Sequence, residues 1–102
     1  MKTCLFTAGF SKYPLEMAFE MAAKYQYDAI EIGGFRPHAF PLDLVRGGAA
    51  RIVSLSQRYQ LPIVSYAPEN TGSPYSLVYE DPQLNQESLE YFKRALDAAK
   101  LI

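Results

Sequence analysis

The sequence holds a single histidine, His38, inside the run Gly34-Phe35-Arg36-Pro37-His38-Ala39-Phe40. An imidazole on a loop can hydrogen-bond a bound hydroxyl or phosphate. It can equally satisfy itself on a nearby backbone carbonyl. It cannot make a metal site alone, because one imidazole without converging carboxylates does not fill a coordination shell. Arg36 could hold a carboxylate or phosphate, or stand solvated as most loop arginines do. Glu69, Asn70 and Tyr75 make a second group. A carboxylate, an amide and a phenol can together read hydroxyl groups, and an ordinary polar loop would carry the same residues. Pro68 and Pro74 stiffen that loop, and Gly72 permits an unusual turn within it.

Other residues have simpler readings beside the functional one. Glu31 stands between Ile30 and Ile32 in a run that reads as a buried strand. A carboxylate there is costly unless bonded. It should face away from its neighbours, either to orient another group or as a satisfied structural carboxylate. Phe6 and Phe10 could wall a ligand, or pack in the core. Cys4, inside a strand and without a basic neighbour, reads as a small core residue. Asp28 reads as a turn or capping group. Gly33-Gly34 and Gly47-Gly48 match no phosphate-loop pattern. A helix start at Gly47-Gly48 could still offer free N–H groups to an anion, or be only a flexible lead-in.

These residues need elements to position them. Three β-rich runs stand out: Thr3–Thr7, Ala29–Ile32 and Ile63–Tyr66. Each precedes turn residues and then a helical pattern. The first helix should begin with Pro14 in its first position. Leu15, Ala18, Phe19, Ala22 and Tyr25 would form its buried stripe. The second should run from about Gly48 to Tyr59, burying Ile52, Leu55 and Tyr59. The third should be capped by Asp81 with Pro82 next, burying Leu89, Phe92, Leu96 and Ala99. Lys24-Tyr25-Gln26-Tyr27 and Arg58-Tyr59-Gln60-Leu61 close the first two helices in the same way. Alternating strand and helix means a parallel sheet. The helix-to-strand links are short. The strand-to-helix links (8–13, 33–47 and 67–81) are long, and they lie where parallel α/β proteins bind ligands.

Composition bounds the function. The chain has 102 residues, 49% hydrophobic and 21% charged, which fits one globular domain. Its net charge of -1 argues against a nucleic-acid partner and gives no polybasic membrane anchor. No run is long enough for a membrane span. A single cysteine excludes an internal disulfide framework. With no secretory leader in view, the expected location is the cytoplasm. Three strands alone would make a small open α/β sheet with exposed edges, which a homo-oligomer could complete.

Tyr27-Asp28-Ala29-Ile30-Glu31-Ile32 resembles the second-strand motif of the xylose-isomerase-like sugar isomerases and epimerases. The runs Gly34–Phe40 and Tyr66–Tyr75, with Met1-Lys2-Thr3 and Gln86-Glu87-Ser88-Leu89, resemble the same family in order and spacing. The resemblance implies a (β/α)8 TIM barrel of ~250 or more residues, with this chain, 1–102, as its first three βα units. It implies proton transfer at a carbon next to a carbonyl of a sugar. It also implies a divalent metal of the Mn, Mg, Co or Ni class, held by two Glu, one Asp and one His on later strands. No position here matches those ligands, so no catalytic or metal-binding residue is expected in this chain, and alone it should be inactive. His38, Glu69, Asn70, Tyr75, Arg36 and Phe6 are the expected sugar contacts. The alternatives are a non-catalytic α/β module that binds a sugar or anion, and an oligomerising unit.

Overall fold

The computed structural model describes residues 1–70 and 74–102. Three parallel strands, β1 (Cys4–Phe6), β2 (Ala29–Gly34) and β3 (Ile63–Pro68), lie in the order β1-β2-β3. Helix α1 (Leu15–Lys24) links the first pair. A helical turn α2 (Pro41–Asp43), a widened turn Leu44–Gly48 and helix α3 (Ala49–Tyr59) link the second. Helix α4 (Pro82–Ala99) follows β3. No helix of the described residues is long and apolar enough to cross a membrane.

Sequential strand order with crossovers of one hand places the long helices on one face of the sheet. Burial along β2 shows which face. Ile30 and Ile32 are fully buried, while Glu31 between them is only half-buried. Ile30 and Ile32 share one apolar core with Leu15, Phe19 and Ala22 of α1, Ile52 and Leu55 of α3, and Ala98 of α4. The register pairs Leu5 with Ile30 and Phe6 with Glu31. Leu5 therefore packs toward the core, and Cys4 and Phe6 fall on the other face. Both are exposed, Cys4 against the expectation of a core residue and Phe6 on the ligand-facing one of its two readings: residue parity in the sheet, not hydrophobicity, decides their side. Partial desolvation, then the Glu31 charge, pushes the Cys4 thiol pKa up, away from a reactive thiolate.

Other boundaries differ from expectation for local reasons. Thr7 leaves β1 for a 3-10 turn, Thr7–Phe10, where its buried hydroxyl accepts a hydrogen bond from the Gly33 N–H at 2.8 Å. Pro14 caps α1 instead of opening it. Its ψ of 145° is extended, and its carbonyl takes the Met17 N–H at 3.0 Å. Tyr25 lies past the last helical turn and is exposed. Helical structure after β2 starts at Pro41, earlier than expected, and kinks at Gly47, whose φ of 114° suits only glycine.

The repeated tetrapeptide is a repeated stop signal. Gln26 and Gln60 are left-handed, with φ of 59° and 52°. In each, paired bonds turn the chain back into a strand: Gln26 N–H to Ala23 O with Tyr27 N–H to Ala22 O, and Gln60 N–H to Gln57 O with Leu61 N–H to Ser56 O. Asp28 serves as expected, its carboxylate accepting from the Thr3 N–H at 2.7 Å. Asp81 likewise caps α4, accepting from Gln83 N–H and Leu84 N–H.

The expected stripe on α4 is wrong by one position. Ser88, Tyr91, Ala95 and Ala98 are buried, whereas Leu89 and Leu96 are exposed. Phe92, Leu96 and Ala99 instead flank an apolar groove along the outer side of β3, with Tyr66 and Pro68.

Candidate functional site

The three strands end beside one another, and residues at and just after their ends line a common cleft. Gly34 makes the junction tight. A Cβ there would sit 2.6 Å from the Tyr66 hydroxyl and 2.9 Å from the Pro68 Cα. Tyr66 then donates to the Ala39 carbonyl at 2.7 Å, tying β3 to the segment after β2. Burial raises the Tyr66 pKa, so its hydroxyl remains a donor.

A cleft of about 480 Å³ lies at these strand ends. Phe6, Arg36, Glu69 and Asn70, four of the six expected contacts, line it. Ser11, Phe35, Ala67 and Pro68 complete most of the wall. Ser11 and Phe35 were missed as candidates, although both stand on the segments after β1 and β2 where ligand contacts were expected. Phe6 is 45% exposed, which leaves an aromatic face open. Arg36 is not a free cation. Its guanidinium makes a two-pronged ion pair with Asp43, at 2.9 and 3.0 Å, and lies 4.5 Å from the centre of the Phe40 ring. That bonding holds the Asp43 carboxyl below its usual pKa.

Two expected contacts lie elsewhere. His38 is buried, its Nε2 is 2.6 Å from the Tyr13 carbonyl oxygen, and its ring packs 4.9 Å from Phe35. It lines a separate hollow with Lys12, Pro37 and Arg51 and ties the segment after β2 to the start of α1. Tyr75 stacks on Tyr91 at 4.3 Å. The turn expected at Gly72 lies outside the described residues. Glu31, one level below the cleft on the open face, accepts from the Ser65 hydroxyl at 3.1 Å. Among the described residues no three of His, Cys, Asp and Glu converge as metal ligands.

A larger groove of about 850 Å³ runs along β1 and α1, lined by residues such as Leu5, Tyr13, Met17, Met21 and Tyr25. It offers no carboxylate or cation. The strand-end cleft, with an aromatic face, a carboxylate, an amide and a hydroxyl, has the chemistry that recognises a polyhydroxylated ligand.

The chain is 48% identical, over 98% of its length, to the fructoselysine 3-epimerase of Escherichia coli O157:H7. It is closely similar to that enzyme. The fructoselysine 3-epimerase of Shigella flexneri matches at the same identity over the same span. The chain covers 36% of the length of either relative. No family model matches it. Because the match to fructoselysine 3-epimerase spans nearly all of the chain, it takes in the cleft as well as the core. The strand order β1-β2-β3 with its helices fits the first βα units of a (β/α)8 barrel.

Proposed function

We propose that residues 1–102 are the first three βα units of a (β/α)8 sugar epimerase, and that the strand-end cleft holds part of its ketose substrate. The supporting observation is the convergence of Phe6, Arg36, Glu69 and Asn70 at the strand ends of the uncovered face. All-parallel sheets are stable when both faces are covered. Here the face carrying Phe6, Glu31 and Ser65 is open, as the inner wall of an incomplete barrel would be.

The substrate named by the relatives sets the chemistry. In fructoselysine, C3 lies next to the C2 carbonyl, so its proton becomes removable as the carbonyl oxygen takes up charge. Inversion needs one group to remove that proton and another to return one on the opposite face. On this reading Phe6 and Phe35 pack against the sugar's apolar face, Ser11 and Asn70 bond its hydroxyls, and Glu69 accepts from a further hydroxyl or faces the lysine portion's ammonium. The ligands of a divalent ion are assigned, on the same reading, to strands outside residues 1–102. It also assigns a small-molecule sugar as partner and the cytoplasm as location.

The test is to supply fructoselysine and Mn²⁺ to the intact gene product and follow the C3 epimer by NMR. Epimer is expected from the intact product and none from the isolated 102-residue chain. No epimer from the intact product would overturn the proposal. Turnover by the isolated chain would overturn the assignment of the catalytic groups to other strands. Metal-independent binding without turnover would favour a sugar-binding module.

A further inference from the structure

The cleft's two charged residues are joined behind its wall by aromatic rings. The Arg36 guanidinium lies over Phe40 at 4.5 Å, and Phe40 meets Tyr91 of α4 at 5.9 Å between ring centres. Tyr91 is only 2% exposed, and its hydroxyl donates to the Glu69 carbonyl at 2.6 Å. Tyr75 stacks on the same ring, with the rings 12° from parallel. Glu69 has a second, longer backbone bond, from its N–H to the Gly34 carbonyl at 3.4 Å. One ring thus sits at the junction of the segment that carries Arg36 and the segment that carries Glu69. Tyr91 itself does not line the cleft.

We propose that Tyr91 is a positioning residue, which fixes the spacing between the cation Arg36 and the anion Glu69 across the substrate cleft. This rests on the reading that the cleft binds the substrate. Three features argue for more than core filling. The hydroxyl bonds the backbone of a cleft residue, so it sets where that residue's Cα stands. The ring is packed against Phe40 and stacked on Tyr75, so the hydroxyl has little freedom to follow a moving loop. Burial, then the neighbouring Glu69 and Tyr75, pushes the Tyr91 pKa up to about 12, so the donor persists at any physiological pH. A phenylalanine here would keep the ring contacts but would leave the Glu69 carbonyl without this donor.

The test uses the intact gene product, with fructoselysine as substrate. Tyr91→Phe keeps the ring and removes only the bond to Glu69. KM should rise roughly three- to tenfold with kcat nearly unchanged, the pattern of lost uniform binding. Glu69→Gln should also raise KM. In the Glu69→Gln background, Tyr91→Phe should add less than about twofold, because both changes act through one contact. Fully multiplicative effects, or an unchanged KM in Tyr91→Phe while Glu69→Gln raises it, would overturn the positioning role and leave the cleft reading intact. An unchanged KM in Glu69→Gln would overturn the cleft reading and the role of Tyr91 with it. Phe40→Leu, which leaves the Tyr91 hydroxyl in place, is the second variant. It should raise KM without lowering kcat, and an unchanged KM would overturn the link to Arg36.

Discussion

The two faces of the sheet are built from alternating residues of the same strands, yet they do different work. On one face Leu5, Ile30 and Ile32 pack beneath three long helices and form the core. On the other, Phe6, Glu31 and Ser65 form a row across the sheet, open to solvent. A shift of one residue in register would exchange the two sets. Stability therefore resides on the covered face. The open face is free to carry groups that would be costly in a core, including a carboxylate that accepts from a serine hydroxyl.

The largest expected effect separates two phenylalanines. Phe19→Ala empties a fully buried site and should cost ~3–5 kcal/mol in urea unfolding. Phe6→Ala, on the open face, should cost under ~1 kcal/mol while weakening substrate binding. Equal losses of stability would erase the distinction between the faces. Next comes the cap of α4. Asp81→Ala should cost about 1 kcal/mol in the same measurement, because two N–H groups lose their acceptor. Gln60→Gly should act in the opposite direction, stabilising by roughly 0.5–1 kcal/mol as the strain of a left-handed, non-glycine stop is relieved.

The smallest effect is at acid pH. The side-chain bond to Arg36 lowers the Asp43 pKa, and the side-chain bond to Arg51 lowers that of Glu16. Both carboxylates then stabilise the fold above their ordinary pKa values, and the contribution disappears as pH falls through the lowered ones. Both pairs are well exposed, so the loss should be a few tenths of a kcal/mol and smaller at high salt. A urea series from pH 6 to pH 2 on the wild type and Asp43→Asn would show it, with the variant lacking part of the acid slope.

Much of the covered face was legible in the sequence. The β-rich runs, the helical spacing in α1 and the Asp81-Pro82 cap each carry a local signal. What was missed depended on tertiary geometry. Two apolar stripes compete on α4, and the larger side chains of Leu89 and Leu96 suggested the wrong one. Ser88, Tyr91, Ala95 and Ala98 are buried instead, a choice set by the surface the helix packs on and absent from its own periodicity. The side taken by Cys4 and Phe6 depends on register with β2, which no strand reveals alone. At the site, residues at or just past strand ends were legible: Phe6, Arg36, Glu69 and Asn70 all reach the cleft. His38 shared their loop signature but found the Tyr13 carbonyl instead. Tyr91 was hidden because its part is played through the backbone of Glu69.

The most direct measurement is where fructoselysine touches the protein. Selectively labelled intact gene product, titrated with fructoselysine and read by NMR, should show its largest shifts at Phe6, Ser11, Phe35 and Asn70, with Met17 and Met21 in the outer groove unmoved. Shifts centred on that groove, or none at the strand ends, would contradict the assignment of the open face as the substrate side.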